Sequence, residues 1–565
     1  MTATPRLPTP TRTPVPTRTE TPTPTTEPTL TPAATATVAP TPTLNQALAD
    51  LGYCRRSFGP TDAGRFSARL LAIEASRLDL VDRVTLTFSD TQGLLHGRAN
   101  CLEGAQWATL TGMDGMDLPG ENVLALDLDG WAHDEVWLQS PITQTQALTG
   151  TLPSGQVFDR VSFASDQFKS RGTTIGIGLR RPVPFRVRLE EQPTRIIVEV
   201  DRSARVEPQD DPLAQPEGRT DAPDRPIFFL QNYDVWRLAG GRAQPLTTTA
   251  ELETALAIAP DGDTLAVCRA SADAEPAALP YDVRASLWVL DADGNEQRLL
   301  ADVGGCADLR FAPSGKTLAF TANTAAAPPA ILSVWTVPLV VGEPRPATPI
   351  ADEWNRYGAE WLPDSRLIYH ARNGSGFSVL FIRDEDGTER EVSARLLTGP
   401  TYRGVGQFVV GDDLVAVEAL RAGEEGADLA FLRFDGTEVG ARERRGFWQR
   451  PLAFLPDGLL YLSTECPSNL VQQYTLRRRQ PDGTVEDLVT GRSLAGLGEV
   501  TTSEDAVLLT RIDQPQPGLR GAQALPSDES QASLWAMSGD ASARRELYRA
   551  VVPILNIRST GNNGP

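Results

Sequence analysis

A turn built on Pro-Asp-Gly recurs through the last three-fifths of this chain, and it limits what those residues can fold into. Pro260-Asp261-Gly262 stands between Ala255–Ile258 and Thr264–Val267, and Pro313-Ser314-Gly315 leads into Thr317–Phe320. Pro363-Asp364-Ser365 precedes Leu367-Ile368-Tyr369, and Pro456-Asp457-Gly458 precedes Leu459–Leu462; weaker copies run through Gly411-Asp412-Asp413 and Ser503-Glu504-Asp505. The copies are spaced by roughly 45 to 53 residues. Proline presets φ for the first central position, Asp or Ser tolerates the second, and glycine accepts the last, so each copy closes a hairpin. A second hairpin follows in each unit: Ser286–Val289 before Asp293-Gly294, Val334–Val337, Val379–Ile382 before Asp386-Gly387, Leu429–Leu432 before Asp435-Gly436, Gln473–Leu476 and Ser533–Ala536. Four strands per unit at this period predict the blades of a β-propeller. The block opens on a half-unit, Ile227–Phe229 and Asp234–Leu238, whose missing innermost strand is available at the far end as Val551–Ile557. Joining the two ends in one blade hides two sheet edges and gives seven blades; six is the alternative.

The chain before the repeat differs. Residues 1–44 are mostly Thr, Pro and Ala, with too little apolar surface to offset the entropy of ordering. We read them as a disordered stalk. At about 3.1 Å per residue in polyproline II, such a stretch reaches on the order of 130 Å. Residues 45–203 hold alternating segments such as Arg83–Phe88, Val123–Leu128, Arg160–Phe163 and Thr194–Val200, and period two means strands with one buried face. A small β-sandwich is the expected solution. Residues 204–226 carry Pro208, Pro212, Pro216 and Pro223 and read as a linker; the propeller follows over 227–559, then a disordered tail at 560–565. The expected fold is therefore all-β throughout.

Two resemblances add to this reading. Phe158-Asp159-Arg160-Val161, Gly176-Ile177-Gly178-Leu179, Pro184-Phe185-Arg186-Val187 and Pro193–Val200 resemble the AMIN-like domain of bacterial secreted proteins and lipoproteins over about residues 78–202. The likeness includes Ala132-His133-Asp134-Glu135, but Val136-Trp137-Leu138-Gln139 replaces the Gly/Pro/Tyr stretch usual after it. Related domains are accessory modules that localise amidases and secretion components in the envelope, so the resemblance implies targeting rather than catalysis. The repeats resemble the TolB-like propellers, which implies a rigid disc for binding proteins, peptides or glycans.

Composition excludes several classes. A net charge of -20 argues against nucleic acid, which needs clustered Lys and Arg on one face. The longest apolar runs, such as Val337–Val341, fall short of the ~20 residues of a spanning helix, so no integral membrane segment is expected in this chain. No cofactor or metal is expected either: the five cysteines lack metal-ligand spacing, and only three histidines occur. His133-Asp134-Glu135 reads as a hydrogen-bonded loop, and Asp127-Leu128-Asp129-Gly130 lacks the other ligands of a calcium loop. Asn373-Gly374-Ser375-Gly376 lacks the spacing of a nucleophile elbow.

These features predict a non-enzymatic, extracytoplasmic binding or scaffold protein of the bacterial envelope, at the cell surface or secreted, with an envelope protein, peptide or glycan as partner. No signal peptide or lipid anchor is visible, so a targeting segment would have to be removed before Thr2. The alternative is a propeller-based hydrolase such as a glycosidase, which needs two carboxylates about 5–9.5 Å apart; a structural spacer is a third class. In an oxidising compartment Cys54 should pair with Cys101, which flank the first strands, and Cys268 with Cys306, leaving Cys466 free. The binding surface is expected on the face carrying the long insertions 271–284, 323–330 and 513–531. Trp354, Arg356 and Tyr357, then Tyr402 and Arg403, then Trp448 and Arg450 enter the inner strands of three successive blades on that face. Arginine beside aromatic rings suits an anionic or carbohydrate-like group, unless these arginines pair with Asp352, Glu353 and Glu360.

Overall fold

The computed structural model describes most of the chain between residues 51 and 559; residues 1–50, 108–121, 130–145, 148–156, 166–171, 205–210, 513–531 and 560–565, with shorter loop stretches, lie outside the described set. Among the described residues the secondary structure is almost wholly antiparallel β-sheet.

Two sheets make the first domain. One has six strands in the order 56–58, 96–103, 122–129, 172–179, 158–165 and 146–147; the other has four, in the order 70–77, 81–88, 194–201 and 185–191. The alternation read in the sequence decides which side chains turn inward. Val84, Leu86 and Phe88 line up with Ile196 and Val198 on one sheet and meet Leu124, Leu126, Ile175 and Ile177 from the other, all essentially without solvent contact. Burying a side chain of this size stabilises the fold by about 1.5–3 kcal/mol. Gly176 has a separate task, because a Cβ there would stand 2.7 Å from the ring of Trp107, which packs with Leu102, Val123 and Ala125 in a satellite cluster.

The second domain is a β-propeller. Its first blade pairs strands 242–245, 234–239, 227–231 and 554–559, so the C-terminal strand lies innermost, with Ile227 opposite Ser559 and Gln231 opposite Ile554. Four-stranded sheets follow at 252–304, 307–346, 355–391 and 496–550. Between the last two, a seven-stranded sheet joins two consecutive units through a single parallel pairing of Ala427 with Trp448. In the earlier of them, the bridges Leu429 to Glu443 and Leu432 to Glu438 stand where a fourth strand would run. In chain order the topology groups into seven units.

The recurring turns close as their chemistry demands. Gly262 donates its N–H to Ala259 (2.9 Å) with φ +78°, and Gly315 to Ala312 (2.8 Å) with φ +68°. Ser365 takes the same left-handed geometry at φ +68°, which a residue with a Cβ adopts only at a cost. Apolar residues fill the space between neighbouring blades, as where Phe228, Leu230 and Val235 meet Leu256, Ile258, Leu265 and Val267.

Part of the linker is ordered against the propeller. Leu213 enters the cluster of Leu452, Leu460, Tyr474, Trp535 and Met537. The Asp211 carboxylate, buried beside it, accepts a hydrogen bond from Tyr474 Oη (2.6 Å) and pairs with Arg511 (2.5 Å). Further on, Glu217 forms an antiparallel bridge with Arg544. The prolines of this segment restrict it to a short 3-10 turn over Pro212–Ala214 and one bridge, yet buried polar and apolar anchors still fix it.

Candidate functional site

The innermost strands of the propeller are not regular. Every one of the seven shifts register against its neighbour: between Glu253 and Ala255, Ala307 and Arg310, Tyr357 and Glu360, Val405 and Phe408, Pro451 and Ala453, Leu497 and Val500, and opposite Phe228 and Leu230 in the closing blade. Such bulges re-aim side chains that a flat strand would bury between sheets. The residues at or beside them suit that role. Asp308 (φ +53°), Gly358 (φ +62°) and Asn556 (φ +51°) are left-handed, while Gly406 and Gly498 leave room for a second-strand side chain. A Cβ on Gly406 would collide with the Glu418 carboxylate, and one on Gly498 with the Thr510 hydroxyl. Those two groups instead accept the next N–H of the inner strand, Gln407 N to Glu418 Oε2 (3.0 Å) and Glu499 N to Thr510 Oγ1 (2.9 Å).

Charged side chains bridge neighbouring blades along these strands. Arg310 Nε donates to Glu360 Oε1 (2.6 Å), and Arg450 Nε to Gln407 Oε1 (2.5 Å). Glu499 accepts from the backbone N–H groups of Asn556 (2.9 Å) and Ile557 (3.0 Å), with Arg558 3.8 Å away, and so fastens the closing blade. Asp308 Oδ2 accepts from Thr321 Oγ1 (2.9 Å), Gly358 N (3.0 Å) and Tyr281 Oη (3.3 Å). The pairs also feel one another across the ring, since Arg310 and Arg558 both interact electrostatically with Glu360, Glu499 and Asp308. Charged and polar side chains of neighbouring blades thus meet along the inner strands.

Electrostatics follow from that enclosure. Burial pushes Arg558 down to about 10, assisted by Arg310 and opposed by Glu499, Glu360 and Asp308. Burial also works against the Arg310 cation, but Glu360 outweighs it and holds Arg310 above its ordinary value. Arg450 is lowered by burial, and Glu418 is raised by burial, with Trp448 and Arg450 opposing. Burial brings His370 down to about 4, so its ring is neutral at ordinary pH; it stacks on Tyr357 (centroids 5.4 Å apart) and meets Phe408 edge-on (4.9 Å). Arg310 and Glu360 stay about one-third exposed, at 32% and 33%, which leaves their outer atoms open to a ligand.

The residues singled out in the sequence divide into two groups. Arg450 bonds Gln407 of the neighbouring blade, Tyr357 stacks on His370, and Arg403 is exposed, beside Gly404 that packs on the backbone of Ser378. Arg356 lies elsewhere: it is buried and pairs with Glu389 through two bonds of 3.1 Å, while Glu360 is taken by Arg310 and Asp352 and Glu353 lie outside the described residues. Successive strand residues face opposite sides of a blade, and Arg356 turns along the blade towards the outer strand while Tyr357 turns away from it. Trp354 packs edge-on against Phe381 (6.2 Å). Tyr402 is buried, donates to Asp428 Oδ2 (2.7 Å) and lies under Arg442 (4.6 Å), while Trp448 stands 6.5 Å from Phe447. Sequence reasoning missed Asp308, Arg310, Gln407, Glu418, Glu499 and Arg558, and named Glu360 only as a possible partner of other arginines. For Glu360, Gln407, Glu499 and Arg558 a signal existed, a Gly or Asn inside a strand one or two places before, as in Gly358-Ala359-Glu360 and Gly406-Gln407.

Other candidates are resolved by their partners. Cys268 and Cys306 form a disulfide joining the second and third blades, with their Cα atoms 5.7 Å apart. The expected Cys54 to Cys101 pair does not form: Cys101 carries a free, buried thiol because its strand turns it into the sandwich core. Cys54, Cys466 and His133-Asp134-Glu135 lie outside the described residues. Asp129 Oδ2 contacts His96 Nδ1 (2.8 Å) and Asp127 accepts from Thr174 (2.7 Å), so both serve their own sheet. Among the described residues, no group of three or more His, Cys, Asp or Glu could hold a metal ion, and no helix is long and apolar enough to cross a membrane.

Residues 69–202 match the AMIN-like domain family, beginning earlier than the sequence likeness and taking in the strand 70–77. The whole molecule thus joins an AMIN-like domain to a β-propeller, a pairing that fits an envelope-associated protein. Solved structures similar to the chain include the putative TolB from Agrobacterium tumefaciens, 15% identical over 61% of this chain and 94% of that one, with a TM-score of 0.33. The β-propeller domain of the Trilobed protease from Pyrococcus furiosus is also 15% identical, over 52% and 98%, with a TM-score of 0.32. An oligogalacturonate lyase in complex with manganese is 12% identical over 59% and 86%, with a TM-score of 0.38. No curated protein matches the sequence.

Proposed function

We propose that this protein is a non-enzymatic binding or scaffold protein of the bacterial envelope, in which the AMIN-like domain localises the chain and the propeller channel captures a partner through an anionic group. One observation supports the reading: the inner strands are bulged and carry charged side chains, among which Arg450 donates to the neutral Gln407 while Arg403 is exposed. A guanidinium bonded to a neutral amide in partly dehydrated surroundings attracts a carboxylate or phosphate, here in competition with the pull of Glu418 and Glu499 on Arg450. The Cys268 to Cys306 disulfide suits an oxidising, extracytoplasmic compartment.

A glycosidase is the weaker reading. Asp308, Glu360 and Glu499 are partly exposed carboxylates of the inner strands, and each is already held by donors that include a neighbouring blade. A carboxylate so held is poorly placed to exchange a proton with a glycosidic oxygen. Glu253, whose carboxyl is pushed up to about 7, has no solvent access.

The test is capture from solubilised envelope extract on the immobilised full chain, with Arg403→Ala/Arg450→Ala as the comparison. Capture should fall at least about tenfold, as for loss of two charge-assisted hydrogen bonds, with the melting temperature within a few degrees of the parent. Undiminished capture by the folded double variant refutes the channel reading.

A further inference from the structure

The AMIN-like sandwich carries a second charged surface, of opposite sign to the chain as a whole. Six arginines gather at one end of its four-stranded sheet: Arg77 and Arg83 flank the hairpin between the first two strands, Arg180 and Arg181 lie on the connection into strand 185–191, Arg186 is the second residue of that strand, and Arg202 follows strand 194–201. Register places them together. Arg77 is opposite Asp82, Val81 opposite Asp201, and Val200 opposite Phe185. Hydrogen bonds then knit the connections: Arg180 N to Val157 O (2.9 Å), Val157 N to Asp82 Oδ2 (3.2 Å), and Arg181 Nη2 to Arg202 O (2.6 Å).

Four carboxylates share this end; Asp79 is exposed, but the other three are turned away from solvent. Asp82, Glu199 and Asp201 are 0%, 1% and 9% exposed. Asp82 accepts from Arg77 (3.3 Å), and Glu199 from Arg83 (2.9 Å) and Arg186 (2.5 Å). Asp201 Oδ1 faces its own chain, accepting from Ser203 N (2.8 Å), Ser203 Oγ (2.7 Å) and Ala204 N (3.1 Å). Arg180, Arg181 and Arg202 therefore form no ion pair among the described residues, and Arg202 is fixed by a bond to Asp79 O (2.6 Å). Apart from Asp79 the acids are buried, while several of the guanidiniums are held in place by carbonyls or carboxylates.

We propose that this end of the sandwich is a docking surface for a soluble polyanion, a polymer with repeated phosphodiester or carboxylate groups. Charge complementarity is the argument. A net charge of -20 repels polyanions at long range, but at physiological salt that repulsion is screened beyond about 8 Å, so the local arginines decide contact. Guanidiniums fixed from behind offer their remaining N–H groups in a set geometry, which suits the planar fork of a phosphate or carboxylate. This surface is independent of the propeller channel, so either assignment can fail without the other.

The experiment measures binding of the full chain to fluorescent poly(glycerol phosphate) and alginate, with phosphatidylglycerol-containing vesicles as a separate arm. The parent should bind at least one polymer with an affinity that falls as salt rises. Arg180→Ala/Arg202→Ala should lose about tenfold, the combined worth of two exposed ion pairs, while the Lys double variant recovers part of it and all three proteins melt alike. Binding to vesicles alone assigns the surface to a lipid headgroup layer and overturns the proposal. So does no binding to either polymer, or binding unaffected by the Ala double variant.

Discussion

Replacing Arg356 with Ala separates a structural arginine from a ligand-binding one. The side chain is 3% exposed and gives two 3.1 Å bonds to Glu389, whose carboxylate also accepts from Tyr369. Removing the guanidinium leaves that carboxylate with one neutral donor in a site only 16% exposed. Breaking a buried pair in this way costs about 3–5 kcal/mol. The lower figure applies because Tyr369 still donates and some solvent reaches Glu389, so we expect ~3 kcal/mol. At about 2.1 cal/mol/K per residue, a propeller of this length unfolds with an entropy of roughly 0.7 kcal/mol/K, and its melting midpoint should drop by about 4 °C. Calorimetry and urea unfolding of the full chain read this directly. Arg356→Met with Glu389→Gln removes the stranded charge while leaving Tyr369 an acceptor, and should recover most of the loss. If Arg356→Ala instead melts within a degree of the parent while ligand capture is abolished, the pairing contributes nothing and Arg356 belongs to the binding surface.

Asp211→Ala should loosen the ordered linker, because it removes the carboxylate that pairs with the buried Arg511 and accepts from the Tyr474 hydroxyl; trypsin should cut between residues 204 and 226 at least about tenfold faster, as expected from a loss of some 3 kcal/mol, and unchanged cleavage would refute the anchor. Glu253 is held well above its ordinary 4.5, at about 7, chiefly by burial, with Asp234 adding to the rise and Arg269 opposing it. A raised carboxyl contributes stability that is complete below about pH 4.5 and is lost as pH rises through 7, so Glu253→Gln should flatten a decline of up to about 3 kcal/mol between pH 5 and 8. Parallel stability curves for parent and variant would count against this. Burial lifts the Cys101 thiol to about 12, so in a Cys54→Ser/Cys466→Ser background a disulfide reagent at pH 8 should label it only after denaturation; rapid labelling of the native protein would show that the sandwich core opens.

Sequence alone determined the propeller strands, because their causes are local. Pro-Asp-Gly turns fix the hairpins, and period two fixes the buried faces of strands such as Thr264–Ala270 and Thr317–Asn323. It also pointed to the C-terminus as the source of the closing strand, since Ile227–Phe229 and Asp234–Leu238 lacked an inner neighbour, and the structure pairs 227–231 with 554–559. The channel was not legible in this way. Whether Arg356 faces a ligand or Glu389, and whether Arg310 meets Glu360, depends on bulges that change the face of every later side chain and on strands some fifty residues apart. The same holds for Asp211 and Arg511, separated by 300 residues: no pattern along the chain records a pairing that exists only once the ring has closed. Local rules set the direction of each strand, but the register between strands and the packing of one blade against the next set which charges share a space.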